Sequence, residues 1–485
     1  MLKAKRPKPC VVVIFGITGD LASRKLIPAL FQLRRNGSLP DGFAILGVSR
    51  SAGDEEALRA KLGESVREHA RAEVDEEEWE AFASRIHTVA GSGGDPDTYR
   101  RLREEAQRLD EAHGTEGNRL YYLAVAPRLF PSILGQLQEA GLVRPVGRED
   151  EPWSRVVIEK PLGHDLESSR ELNGLIAEVL DEAQTYRIDH YLGKETVQNI
   201  MAFRFANAIF EPIWNRKHIE HIQVTAAESI TVGDRGEFYD KTGVVRDVVQ
   251  NHVLQILALC TMEPPVSLSA NDVRDEKVQA IRSLHPIELD EVVMGQYDGY
   301  REVEGVEEGS RTPTFVAMKM GIDNWRWSGV PIYVRAGKAM SARDTHVAVT
   351  FRAVPGILFG QSSALDPNQL VLQIQPNEGI SIQFSSKVPG DDLTIGTVSM
   401  DFDYARAFER RPGDAYERLL LDAMRGDATL FARRDEVEHA WAFVDRINSA
   451  WEGSEAPIPR YEVGEDGPEE ARELLAQDDR AWRSL

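Results

Sequence analysis

A chain of 485 residues, 42% apolar and 28% charged, is long enough for two or three domains with a large buried core. Its formal charge of −22 at pH 7 excludes general binding to nucleic acid or to an anionic membrane surface, both of which need a positive field. A small anionic ligand is still admissible, provided the cations are gathered locally. No stretch approaches the roughly 20 apolar residues that span a bilayer. The short apolar run after the basic start is cut by Gly16, Gly19 and Asp20, which argues against a secretory leader. Cys10 and Cys260 sit beside apolar runs, and no Cys/His spacing suggests a metal. They are expected to be reduced core thiols of a cytoplasmic protein without a metal site.

Val11 to Phe15 is a continuous apolar run suited to a strand buried on both faces of a parallel sheet. A glycine turn follows, and then Leu26, Ala29, Leu30 and Leu33 fall on one face of a helix that Asn36-Gly37 ends. Strand, glycine turn and amphipathic helix are the context of a dinucleotide-binding fingerprint, although the spacing, Gly16, Gly19 and Ala22, differs from the usual one. A tight turn without a ligand is the competing reading. Phe43 to Val48 predicts the second strand, which runs into Ser49-Arg50-Ser51. An NAD-specific site would carry an acid there; an arginine fork suits a ribose phosphate, so Arg50 points to NADP.

Residues 54–83 predict acidic helix over the sheet, and Ser92 to Pro96 a turn. Leu120 to Val125 and Arg155 to Ile158 predict further buried strands. The second runs directly into Glu159-Lys160-Pro161, which puts Lys160 at a carboxyl strand end, the edge where ligands bind in open parallel sheets. Residues 165–182 predict a helix. Arg187 to Glu195 then puts Arg, Asp, His, Tyr and Lys into nine residues at a join between two kinds of pattern. It reads equally as a site or as a solvated loop with a salt bridge.

Beyond it, residues 195–209 predict a helix, His221 to Thr225 an alternating strand, and Gly233 to Gly243 a glycine-punctuated loop. Val244 to Cys260 predicts a long apolar helix whose polar members, Arg246, Asp247, Gln250, Asn251 and His252, need partners. Clean alternation through Val347 to Phe351, Leu370 to Ile374, Ile380 to Phe384 and Val398 to Phe402 predicts an antiparallel sheet with one covered face. The other face suits pairing in a homodimer or homotetramer. Helices are expected over 414–424 and 435–447, and a loose acidic surface tail beyond Glu455.

Five motifs occur in order: Gly-Ile-Thr-Gly-Asp-Leu-Ala at 16–22, Glu-Lys-Pro-Leu-Gly at 159–163, Arg-Ile-Asp-His-Tyr-Leu-Gly-Lys-Glu at 187–195, Arg-Asp-Val-Val-Gln-Asn-His at 246–252 and Arg-Ala-Gly-Lys at 335–338. Together they closely resemble the glucose-6-phosphate dehydrogenase family from residue 11 to about 450. The resemblance implies a Rossmann-like dinucleotide-binding α/β domain over 1–188. It implies a larger α+β domain over 189–485, with a mostly antiparallel sheet covered by helices. It implies oxidation of glucose 6-phosphate to the lactone with hydride transfer to NADP, NAD serving as a weaker alternative, in the first oxidative step of the pentose phosphate pathway.

Site residues carry over by the same resemblance. His252 is implied as the base and Asp189 as its partner. Lys160, His190, Tyr191, Lys194, Glu228, Asp247, Lys338, Arg343 and Gln375 are implied for the substrate, and Gly16, Thr18, Gly19, Asp20, Leu21, Arg50, Tyr122 and Lys160 for the cofactor. The chemistry fits the residue types: a neutral imidazole removes a hydroxyl proton near neutral pH, and a lysine with a phenol suits a phosphate. Leu162 stands where the family often has Phe, and Ser49 where it often has Ala. Asp344, Ala348, Gln373, Ser381 and Gln383 lack the basic and aromatic character of the animal-type second cofactor site, so no second NADP is expected. Two other readings stand beside this one: a short-chain sugar epimerase or reductase, and a non-catalytic NADP sensor. The first needs Tyr-x-x-x-Lys, whereas Tyr191 and Lys194 are three apart, and the second leaves Asp189 and His252 without a task.

Overall fold

The computed structural model describes residues 6–51, 54–71, 73–148, 150–355, 357, 365–408 and 413–485. The chain divides into two compact units. The first comprises Met1–Gly193, Ser267–Arg274 and Gly413–Val437; the second comprises Lys194–Val266, Asp275–Pro412 and Glu438–Leu485.

The first unit is a parallel sheet of β1 (Cys10–Phe15), β2 (Phe43–Ser49), β3 (Ile86–Ala90), β4 (Arg119–Leu123), β5 (Ser154–Ile158) and β6 (Thr185–Arg187), in the order β3-β2-β1-β4-β5-β6. The apolar runs become central strands because both faces are covered: β1, β2 and β4 are buried almost throughout. The predicted helix after the glycine turn is present as Ile27–Arg35, preceded by one wide π-type turn at Ala22–Leu26, with Leu26, Ala29, Leu30 and Leu33 buried. The acidic stretch forms two helices, Glu55–His69 and Glu76–Ala83, because Ala70 leaves the helical region and Asp75 caps a new start. The helix Ala415–Arg425, distant in sequence, completes this unit. Arg155 donates to the carbonyls of Ala423 (2.9 Å) and Met424 (2.6 Å) in its last turn, where carbonyls lack helical partners. Phe431 packs edge-on against Tyr186, with centroids 4.9 Å apart.

The second unit is a nine-stranded sheet. Its strands are β7 (Ile219–Ala227), β8 (Val292–Tyr297), β9 (Phe315–Met320), β10 (Ile332–Gly337), β11 (Asp344–Phe351), β12 (Gln369–Gln375), β13 (Gly379–Lys387), β14 (Ile395–Asp403) and β15 (Arg460–Tyr461). Their order is β14-β13-β12-β11-β7-β10-β9-β8-β15. The sheet is mostly antiparallel, as expected, but β7 and β10 pair in parallel, and so do β8 and β15.

Two expectations fail here. The stretch expected as a glycine-punctuated loop contains the helix Gly236–Val244; the glycines mark its ends, and Gly243 (φ 66°, ψ 169°) kinks it into the next helix. The tail beyond Glu455 is not loose. It supplies β15 and the helix Glu469–Ala476, which buries Ala471, Leu474 and Leu475 in a core with Tyr297, Phe315 and Tyr333. The polar positions of β7 meet this tail instead of water. The Gln223 amide donates to Ala481 O (2.9 Å) and accepts from Arg483 N–H (2.8 Å). Cys10 and Cys260 are buried free thiols, each pushed up to about 12 by burial, in line with the expected core role.

Arg480 ties the tail to β7 by donating from Nε to Glu220 Oε1 at 2.9 Å, and His221 pairs with the same carboxylate. Burial raises the Glu220 pKa, but His221 and Arg480 outweigh it and hold the carboxyl at about 2, below its usual 4.5. A depressed carboxylate stabilises the fold above its unfolded pKa, and that contribution disappears as pH falls through the folded value. Glu220→Gln should therefore lower the thermal midpoint at pH 7, with the difference from the parent shrinking between about pH 4.5 and 2. Thermal melts across that window check this; a difference constant with pH would rule it out.

Candidate active site

In the first unit the polar groups collect at the carboxyl ends of the central strands. Gly16 follows β1 with φ +88°, and a Cβ built on it would lie 2.3 Å from the carbonyl oxygen of Ala124, just past β4. Only glycine fits where the turn passes so close to the neighbouring strand's exit. Gly16 N–H donates to Val48 O (2.8 Å) and Gly19 N–H to Gly16 O (2.9 Å), so the turn closes on itself before the helix begins. This lies between β1 and β4, where the strand order reverses, the usual ligand position in such sheets.

Thr18 and Ser49 share a hydroxyl hydrogen bond of 2.8 Å at the end of β2, and Arg50 is exposed beside them. The next carboxylate along the chain, Asp54, is spent on capping a helix through Ala57 N–H (2.9 Å). Asp20 is exposed and pairs with Arg24 at 2.8 Å, and Leu21 is half-buried. Lys160 is half-buried, two residues beyond the end of β5. Tyr122 is fully buried and its hydroxyl donates to Glu159, which leaves that hydroxyl committed inside the protein. Burial raises the Glu159 carboxyl above its ordinary value, opposed by the hydroxyls of Tyr122 and Tyr416.

The nine-residue motif is not a solvated loop. Arg187, Asp189, Tyr191 and Leu192 are buried and His190 is half-buried. Asp189 Oδ1 accepts from Tyr191 N–H (2.9 Å), Asp189 O from Leu192 N–H (3.0 Å), and His190 O from Gly193 N–H (3.2 Å), which winds the motif into a tight turn. A Cβ at Gly193 would meet the carbonyl of Ala415 at 2.6 Å.

In the second unit two clusters form. The parallel register sets Ala227 opposite Gly337, so the residues that follow, Glu228 and Lys338, emerge side by side. Lys338 is 2% exposed; its Nζ lies 2.6 Å from Glu228 Oε2 and 3.9 Å from Asp247 Oδ2, and 5.2 Å above the ring of Tyr239. Asp247 and the buried His252 lie on one helix of wide π-type turns, Val245–Val253, which continues as Leu254–Thr261. The second cluster is at the end of β12. Lys194 donates to Gln375 Oε1, Arg343 Nη2 lies 3.4 Å from the same oxygen, and Gln375 Nε2 donates to Thr345 Oγ1 (2.9 Å). Arg335 is structural: it is buried, donates to Thr225 Oγ1 (3.1 Å) and stacks over Trp482.

Sequence reasoning missed Tyr239, Thr345 and Tyr416. Tyr239 stood in a stretch expected as loop, and no local pattern marks the other two.

The sheet order, the glycine turn and the cationic strand ends define a dinucleotide-binding fold, and the family matches make the protein an oxidoreductase that works with a nicotinamide dinucleotide. Residues 13–199 match the family model for the NAD binding domain of glucose-6-phosphate dehydrogenase, and residues 201–483 match that for its C-terminal domain. The chain is 41% identical to the glucose-6-phosphate 1-dehydrogenase of Chlamydia pneumoniae, over 98% of this chain and 96% of that protein. It is 41% identical to the enzyme of that name from Bacillus subtilis, over 100% of both. A solved glucose-6-phosphate dehydrogenase in complex with its substrate glucose-6-phosphate superposes over 100% of both chains, with TM-score 0.90 and 35% identity. The Mycobacterium avium glucose-6-phosphate 1-dehydrogenase superposes with TM-score 0.85 and 38% identity over 98% of this chain and 99% of that one. The chain belongs to the glucose-6-phosphate dehydrogenase family.

The closeness of Gly16 to Ala124 O gives a sharp test. Gly16→Val should cost at least tenfold in dinucleotide affinity, measured by quenching of protein fluorescence. Circular dichroism should still report a folded chain. Unchanged affinity would remove the turn from the cofactor site.

Proposed function

We propose that this chain oxidises glucose 6-phosphate at the anomeric carbon to 6-phosphoglucono-lactone, the first oxidative step of the pentose phosphate pathway, with NADP as the preferred acceptor and His252 as the base. Full-length family membership supports the reaction, and the Lys338–Glu228–Asp247 cluster is the observation that carries the sugar assignment. A buried ammonium held between carboxylates offers donors and acceptors together, which is what a row of sugar hydroxyls requires.

The glycine turn fits a dinucleotide, because Gly16 and Gly19 carry no side chain that would bar a pyrophosphate from the helix start behind them. Thr18, Asp20, Leu21, Arg50, Tyr122 and Lys160 complete the proposed cofactor set, Tyr122 acting through Glu159. Exposed Arg50, with Asp54 committed to a cap, favours a ribose phosphate over a bare ribose, which supports NADP over NAD. When bound, the nicotinamide accepts the hydride from the anomeric carbon.

The chain's own residues do the rest. An imidazole nitrogen of His252 takes the hydroxyl proton as the C–H bond breaks, so lactone, reduced cofactor and one proton balance the reaction. Asp189 is the proposed carboxylate behind His252; its Oδ1 bond to Tyr191 N–H fixes its orientation. Glu228, Asp247 and Lys338 orient the sugar, Lys160 serves substrate and cofactor, and His190, Tyr191 and Lys194 hold the phosphate, with Arg343 and Gln375 alongside.

His252→Ala should lower kcat by about 10²–10⁴-fold while leaving dinucleotide affinity within twofold. Initial rates should be high with glucose 6-phosphate and low with free glucose, and Arg50→Ala should raise KM for NADP about tenfold without affecting NAD. Near-parental turnover in His252→Ala would remove it as the base. Equal rates with both sugars would remove the phosphate grip.

We also propose a homodimer or homotetramer that covers β13 and β14. Register pairs Ile380 with Phe402, Ile382 with Met400 and Phe384 with Val398, an apolar stripe at the sheet's edge with Met400 64% and Val398 41% exposed. A second copy with the same stripe buries it symmetrically. Val398→Lys combined with Met400→Lys should shift sedimentation velocity to a monomer; an unchanged oligomer would place the interface elsewhere.

A further inference from the structure

The second unit holds a cavity of about 240 Å³ that the proposed reaction does not use. Its wall includes Thr242, Gly243, Val245, Arg246, Arg311, Thr312, Asn448, Trp451 and Glu452. Arg311 lies over the Trp451 ring, 4.9 Å from its centroid, and its Nη2 donates to the carbonyls of Ser454 (3.1 Å) and Ala456 (2.9 Å). Arg246 Nη2 donates to Glu452 Oε1 (3.0 Å), the acid on the wall. Asn448 is 7% exposed, and its Nδ2 has no hydrogen-bond partner among the described residues. A buried amide nitrogen without an acceptor is costly, and Asn448 lines the cavity, so a ligand oxygen that reaches the amide as the side chain turns toward it relieves that cost.

We propose that this cavity is a regulatory site for a compact hydroxylated oxyanion, a phosphorylated or carboxylated polyol of three or four carbons. Two guanidiniums against one carboxylate, with the Asn448 amide, select an oxyanion. The hydroxyl part follows from the threonines. Thr242 donates its proton to Phe238 O (2.8 Å) and Thr312 donates to Asp240 O, so each has only acceptor capacity left. The volume, below the ~300 Å³ of common small-molecule sites, excludes a dinucleotide. The regulatory part follows from position. Gly243, Val245 and Arg246 on the wall are the kink and first turn of the helix that carries Asp247 and His252, so an anion there bears on that helix's start.

Binding is measured by calorimetry on the whole chain with glycerol 3-phosphate, malate and inorganic phosphate as separate probes at matched ionic strength. This readout is independent of the assigned reaction. One glycerol 3-phosphate or malate per chain is expected, at least fivefold tighter than inorganic phosphate, and whichever of the two binds identifies the acid group. Asn448→Leu should weaken binding at least tenfold with no loss of thermal stability and with basal turnover unchanged. Thr242→Val, a partly exposed isosteric change, should weaken it severalfold and serves if Asn448→Leu does not fold. In initial-rate assays the ligand should change kcat or KM for glucose 6-phosphate at least twofold in the parent and not in Asn448→Leu. No binding of any probe at 10 mM overturns the site, and so does affinity unchanged by either variant. Inorganic phosphate binding as tightly as the others overturns the hydroxyl assignment. Binding without a kinetic effect overturns regulation, as does inhibition that persists in Asn448→Leu, which would belong to the sugar site.

Discussion

An ammonium group taken out of water costs several kcal/mol unless charges and hydrogen bonds meet it at close range. Lys338, 2% exposed, imposes that demand on the second unit. Glu228 meets it at 2.6 Å because β7 and β10 run parallel in a register that ends both strands at the same height. Asp247 adds a second carboxylate from the helix, and the Tyr239 ring offers its negative face. One register shift would separate lysine and glutamate, so the strand pairing and the polar cluster depend on each other. His252 rides on the same helix as Asp247, which ties its placement to the same constraint.

The first unit meets a related constraint with backbone in place of charge. Gly16 must pass beside the exit of β4, and only the missing Cβ allows it. The helix that follows then begins directly behind the turn. The chain as a whole is strongly acidic, yet Lys160 and Arg50 stand at the carboxyl ends of β5 and β2, and Lys194 and Arg343 share one glutamine oxygen. Net charge therefore says little about a site whose cations are placed by strand ends and turns.

The strands β1, β2, β4 and β5 and the alternating β11 to β14 were legible because each is a short apolar or alternating run of one period. The strands β3, β6, β8, β9, β10 and β15 were not legible in this way, and the alternation of His221 to Thr225 marks a strand without telling what covers it. Its polar members Gln223 and Thr225 do not face water, because the chain's own C-terminal segment and Arg335 cover them. The helix Gly236–Val244 was hidden by the glycines at its ends. The Glu159–Tyr416 contact joins residues more than 250 positions apart, and no local pattern carries it.

By itself the sequence determined the glycine turn, the buried parallel strands, the alternating sheet and the five motifs that identify the family, since each is written in neighbouring residues or in a fixed period. Tertiary structure alone decided which polar groups face one another: Lys338 with Glu228 and Asp247, Lys194 and Arg343 with Gln375, Arg480 with Glu220, and Asn448 with the cavity behind the helix start. Those pairings follow from strand register and long-range packing, and their energies depend on burial, which no run of adjacent residues specifies.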